Sequence, residues 1–105
     1  PATTTGTIYT DGQARKIVLE EYTTNGISLV GFSVTIDGEY LGVARRDKFS
    51  GFQQSKGTVT FIPLQTKYGE LTLKQNVSLT IGGSEISADL MLDGVYIGSI
   101  QMPLS

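Results

Sequence analysis

An all-β fold of about eight antiparallel strands is the reading of this chain, and three observations carry it. Short apolar runs alternate with polar residues at period two, most clearly from Leu71 to Ile81, where every second residue but Gln75 is apolar. Dipeptides suited to tight hairpins recur between the runs: Asn25-Gly26, Asp37-Gly38, Gly82-Gly83 and Asp93-Gly94. Thirteen glycines with many threonines, and 17% charged residues, favour strands and turns over helices.

Residues 1–5 read as a loose tail, and Thr7 to Thr10 as a first strand that Asp11-Gly12 ends. Residues 13–22 are ambiguous, because Ala14, Ile17, Val18 and Tyr22 also fit a helical stripe. The Asn25-Gly26 turn favours a strand: folding there sets Leu19 opposite Phe32 and Ile17 opposite Val34, with Arg15 and Glu21 at the margins of that face. Residues 27–46 form the organising hairpin. A type I′ turn at Asp37-Gly38 sets Val34 opposite Leu41 and Phe32 opposite Val43, with Thr35 and Tyr40 on the other face.

Residues 47–57 form the longest polar connection, and Gly57 to Ile62 restarts a strand that Pro63 stops or confines to an edge. Gln65 to Glu70 reads as a second loop. A turn at Gly82-Gly83 then pairs Leu79 with Ile86, Val77 with Ala88 and Leu73 with Leu92. The Asp93-Gly94 hairpin pairs Leu92 with Val95 and Leu90 with Ile97, and the Pro103 region closes the chain.

One domain of 105 residues holds all this. Two halves, 6–46 and 57–101, share a plan, with DGEYLG recurring as DGVYIG, so an internal duplication is a reading set against convergent hairpin chemistry. Two four-stranded halves predict a small β-sandwich, with a squat closed barrel as the alternative.

With no His, Cys or Trp, the usual general base, thiolate nucleophile and zinc ligands are missing. Carboxylate-pair hydrolysis needs only two acids. Here Asp37 and Asp93 serve turns, and Glu20 and Glu21 point to opposite faces of one strand, so the expectation is a non-enzymatic protein without cofactor or metal. No apolar run approaches the ~20 residues that span a bilayer and the first residues lack a signal pattern, so the chain as given reads as soluble, with no membrane partner and compartment unknown.

Two surfaces stand out. Arg45, Arg46, Lys48, Phe49, Phe52 and Lys56 interleave cations with aromatics, a pattern suited to single-stranded nucleic acid or another anionic partner. Tyr40, Met91 and Tyr96, with Gly31, read as a low-charge outer surface for assembly, the tyrosines shielding glycine backbone where Ser33 faces Gly42 and Asp89 faces Gly98. The leading expectation is a structural interaction module that self-associates into a homo-oligomer or docks on a larger protein complex or particle. Nucleic-acid binding is the alternative, and carbohydrate binding, without Trp for stacking, ranks third.

Overall fold

The computed structural model describes residues 3–24, 28–46 and 58–102. Their backbone forms nine strands: β1 Thr3–Thr10, β2 Gln13–Thr24, β3 Ser28–Ile36, β4 Glu39–Arg45, β5 Thr58–Thr60, β6 Leu64–Thr66, β7 Gly69–Thr80, β8 Gly83–Leu92 and β9 Val95–Met102. They build two antiparallel sheets. One is the meander β1-β2-β3-β4, and the other runs β5-β7-β8-β9 with β6 also on β7. The sheets face each other as a sandwich and do not close into a barrel. Residues 13–22 are strand, since the hairpins on both sides supply ladder partners that a helix would forgo.

The ninth strand comes from a break that Pro63 introduces. Proline has no N–H to continue the ladder, so pairing with β7 stops after Phe61 and resumes at Leu64. Within the span expected as a loop, Gln65 and Thr66 therefore belong to β6 and Gly69 and Glu70 to β7, and Lys67-Tyr68 makes the turn. At the break two successive amides point to different sheets: Phe61 N–H donates to Leu73 O of β7, and Ile62 N–H to Arg45 O of β4. Arg46 pairs with Phe61 and donates its own N–H to Val30 O, so the sheets meet along this corner.

The turns Asp11-Gly12, Asp37-Gly38 and Asp93-Gly94 have positive φ at both residues, as type I′ requires. Thr35 pairs with Tyr40 and Leu92 with Val95, as the sequence predicts. One step further each hairpin bulges. Val34 meets Gly42 instead of Leu41, Phe32 meets Ala44 instead of Val43, and Leu90 meets Gly98 instead of Ile97. Ser33 and Asp89 thus face Val43 and Ser99, not the glycines. The extra residue turns Leu41 and Ala44, and likewise Ile97 and Ile100, toward the core although each pair lies three positions apart.

In β2–β3 the pairs are Ile17 with Ile36 and Leu19 with Val34, the ladder closing at Thr24 and Ser28. In β7–β8 the turn is Ile81-Gly82, which pairs Leu73 with Leu90, Gln75 with Ala88, Val77 with Ile86 and Leu79 with Ser84. The core pairs of both hairpins are displaced two residues from the predicted register, and in β2–β3 a bulge between Tyr22 and Thr23 removes one residue of that displacement before the turn. Period two makes that slip silent for facing, so Ile17, Leu19, Phe32, Val34, Leu71, Leu73, Ala88 and Leu90 are buried as predicted, whereas Val77, nearer the hairpin end, is 42% exposed. At the hairpin end it has a consequence: Ile81 occupies the turn and is fully exposed.

The core unites Ile8, Ile17, Leu19, Phe32, Val34, Ile36 and Ala44 of the first sheet with Val59, Phe61, Leu71, Leu73, Ala88, Leu90, Ile97 and Ile100 of the second. Phe32 and Phe61 meet across it with ring centroids 5.5 Å apart. The sheet margins approach through the bulge glycines. An added Cβ on Gly42 would lie 3.1 Å from Leu64 Cδ1 of β6, and one on Gly98 would lie 3.1 Å from Thr7 O of β1. Strand β4 thus lies beside β6, and β9 beside β1.

Candidate functional site

The outward face of the first sheet is assembled by the ladder itself. Inward Ile8, Ile17, Leu19, Phe32 and Val34 force their neighbours outward, and the register then sets those neighbours in rows. Thr5, Val18, Thr35 and Tyr40 make one row. Thr3, Glu20, Ser33 and Val43 make the next, and Tyr22, Gly31 and Arg45 the one after that. On the other side of the first row lie Thr7 with Lys16, then Tyr9 with Ala14. Hydroxyl, aromatic and aliphatic groups dominate, and the strand positions on this face carry three charges, Lys16, Glu20 and Arg45. Tyr9, Tyr22 and Tyr40 are 59%, 44% and 63% exposed.

This arrangement divides the sequence-predicted assembly residues. Tyr40 belongs to the first sheet, whereas Met91 and Tyr96 are a cross-strand pair on the second, so the three do not share one surface. Tyr96 is exposed and Met91 half-buried in a more polar setting, with Lys74 opposite Asp89 in the next row and Asn76 Nδ2 donating to Asp89 Oδ2 at 2.8 Å. The residues that do accompany Tyr40, namely Tyr9 and Tyr22, follow from parity once Ile8 and Leu19 are assigned inward. Gly31 is buried between Tyr22 and Arg45 in the ladder, and without a side chain there the Arg45 guanidinium reaches to 5.9 Å from the Tyr22 ring centroid. That cation–π contact covers the bare backbone.

Of the basic and aromatic cluster, Arg45 is exposed and Arg46 half-buried at the corner where the sheets meet. Lys48, Phe49, Phe52 and Lys56 lie outside the described residues.

A second constellation occupies the opposite end of the sandwich. Asp37 N–H donates to Lys16 O and Lys16 N–H to Asp37 Oδ1; Asp93 N–H donates to Glu70 O and Glu70 N–H to Asp93 Oδ1. Each turn aspartate thus locks its hairpin to the preceding long strand by the same pair of bonds. Arg15 donates to Thr10 Oγ1 and pairs with Asp37 at 2.9 Å, while its guanidinium lies 4.9 Å from the Tyr68 ring centroid on the other sheet. Lys67 stands 5.3 Å from the same centroid and pairs with Glu39. The Lys16 amide, and then Arg15, hold the Asp37 carboxyl below its ordinary value. Glu39 raises Lys67 above its own, chiefly by hydrogen bonding. Composition gives no hint of this clasp, since its members come from four separate stretches.

Among the described residues no three acidic side chains gather as a metal site, and no helix is long and apolar enough to cross a membrane. Comparison of the chain with protein-family models, curated proteins and solved structures gives no match.

Proposed function

We propose that this protein is a non-catalytic assembly module that works through the outward face of its first sheet. The observation that supports the reading is the joint exposure of Tyr9, Tyr22 and Tyr40 on one regular, sparsely charged surface. Tyrosine suits such a role because it brings a large rigid contact area with only two side-chain torsions to restrain, and its hydroxyl remains satisfied at a wet rim.

Solution mass by light scattering after size exclusion, at low and high salt, tests the proposal. A defined multimer that persists in high salt supports contact through apolar and hydroxyl groups. Tyr40→Lys then shifts the protein toward monomer, whereas Tyr96→Lys, on the other sheet, leaves the mass unchanged. A monomer at every concentration that also recruits no protein partner overturns the proposal.

A further inference from the structure

Strand β2 presents a self-complementary series to solvent, and the geometry points to a second copy of this chain as the occupant of the first sheet's outer face, stacked about a two-fold axis over Val18. The inference rests on the assembly reading and names its partner and its register.

The outward residues of β2 are Ala14, Lys16, Val18, Glu20 and Tyr22, alternating with the inward Ile17 and Leu19. Val18 is the midpoint of the series. A two-fold axis lying in the interface, perpendicular to the strands and passing over the Thr5–Val18–Thr35–Tyr40 row, sets each residue against the one equally far on the other side of Val18. Lys16 of one copy then meets Glu20 of the other, twice. Ala14, the smallest member, meets Tyr22, the largest, also twice. Val18, Thr35 and Tyr40 meet their own counterparts on the axis.

Charge, size and symmetry therefore agree on one arrangement. Lys16 and Glu20 side chains take part in no ion pair among the described residues, so both are available across an interface. Lys16 is held in place regardless, because its main chain is bonded to Asp37 in both directions. Face-to-face sheets pack about 10 Å apart with strand directions nearly aligned, and a two-fold of this kind produces that relation. Four strands at ~4.8 Å over about seven residues at ~3.4 Å give roughly 450 Å² of flat sheet per copy. With side-chain relief the two copies bury on the order of 1,000 Å², the threshold for a specific interface.

Charge reversal provides the test, read as dimer dissociation by analytical ultracentrifugation at low salt, with circular dichroism and melting temperature confirming that each variant folds. Lys16→Glu places like charges opposite each other at two sites, as does Glu20→Lys. Each weakens the dimer by about tenfold or more. The double variant Lys16→Glu/Glu20→Lys restores self-association, and an equimolar mixture of the two single variants forms a mixed dimer. A wild-type multimer whose affinity neither single variant changes overturns this interface while leaving the assembly reading intact. A wild-type monomer at every concentration overturns the interface and removes self-association from the assembly reading.

Discussion

Replacement of Gly98 by alanine tests the claim that bulge glycines let the two sheets meet. Gly98 has φ +154°, and an added Cβ would lie 3.1 Å from Thr7 O and 3.3 Å from Ile8 Cγ2. A non-glycine residue held at such a φ costs roughly 1–3 kcal/mol. Crowding against a fixed main-chain oxygen adds about 1 kcal/mol or more. The reduced freedom of alanine in the unfolded chain offsets ~0.4–1 kcal/mol. A net loss of about 2 kcal/mol follows, or a fall in melting temperature on the order of 10 °C for a domain of this size. Gly42→Ala is the internal control. It stands at the equivalent bulge with φ +133°, but its new Cβ would meet the terminal methyl of Leu64 at 3.1 Å, which can rotate away. Gly42→Ala therefore loses about 1 kcal/mol less than Gly98→Ala. Urea unfolding, with the slope checked for constancy, measures both. Equal losses at the two positions, or a Gly98→Ala protein within ~0.5 kcal/mol of wild type, would refute the close approach of β9 to the β1 backbone.

Other expected outcomes follow from the core and the clasp. Phe61→Ala removes a fully buried ring that packs on Phe32, and should cost about 3–5 kcal/mol in the same urea experiment. Asp37 has its folded-state titration lowered, by the Lys16 amide first and Arg15 second, so its stabilising effect is complete above the ordinary carboxylate value and disappears as pH falls through the lowered one. Melting temperature against pH should show a shallower acid limb for Asp37→Asn. Lys67 titrates above its ordinary value because of Glu39, so its contribution is complete below that value and is lost as pH rises past the raised one; Lys67→Gln should flatten the alkaline limb.

Much of the architecture was legible because local chemistry and tertiary packing agree. Asp37-Gly38 and Asp93-Gly94 turn where their residue types demand positive φ, and alternation from Ile17 to Leu19 and from Leu71 to Leu73 reports a buried face. Alternation carries no information about a two-residue slip, however, so the Leu19–Val34 and Leu73–Leu90 pairings were out of reach. The bulges were hidden for a related reason. Tyr40-Leu41-Gly42 and Tyr96-Ile97-Gly98 look like ordinary strand starts until Leu64 and Ile8 of the opposite sheets are present to be packed against. The site divides the same way: Tyr40 was recognised as outward, but its company of Tyr9 and Tyr22, in place of Met91 and Tyr96, depends on which strands share a sheet.

The sequence by itself thus determined the all-β class, the Asp-Gly turns and the inward sense of Ile17, Leu19, Phe32, Val34, Leu71 and Leu73, all of which arise between residues near one another in the chain; Val43, expected inward, is turned outward by the bulge at Leu41, and Ala44 takes its place. Only the tertiary structure decided the register of β2–β3 and β7–β8, the bulges at Leu41 and Ile97, the shift of the chain between sheets at Phe61 and Ile62, the Arg15–Tyr68 clasp and the membership of the outer face. These depend on the simultaneous approach of residues far apart in sequence, whose contacts exist only once both sheets close over one core.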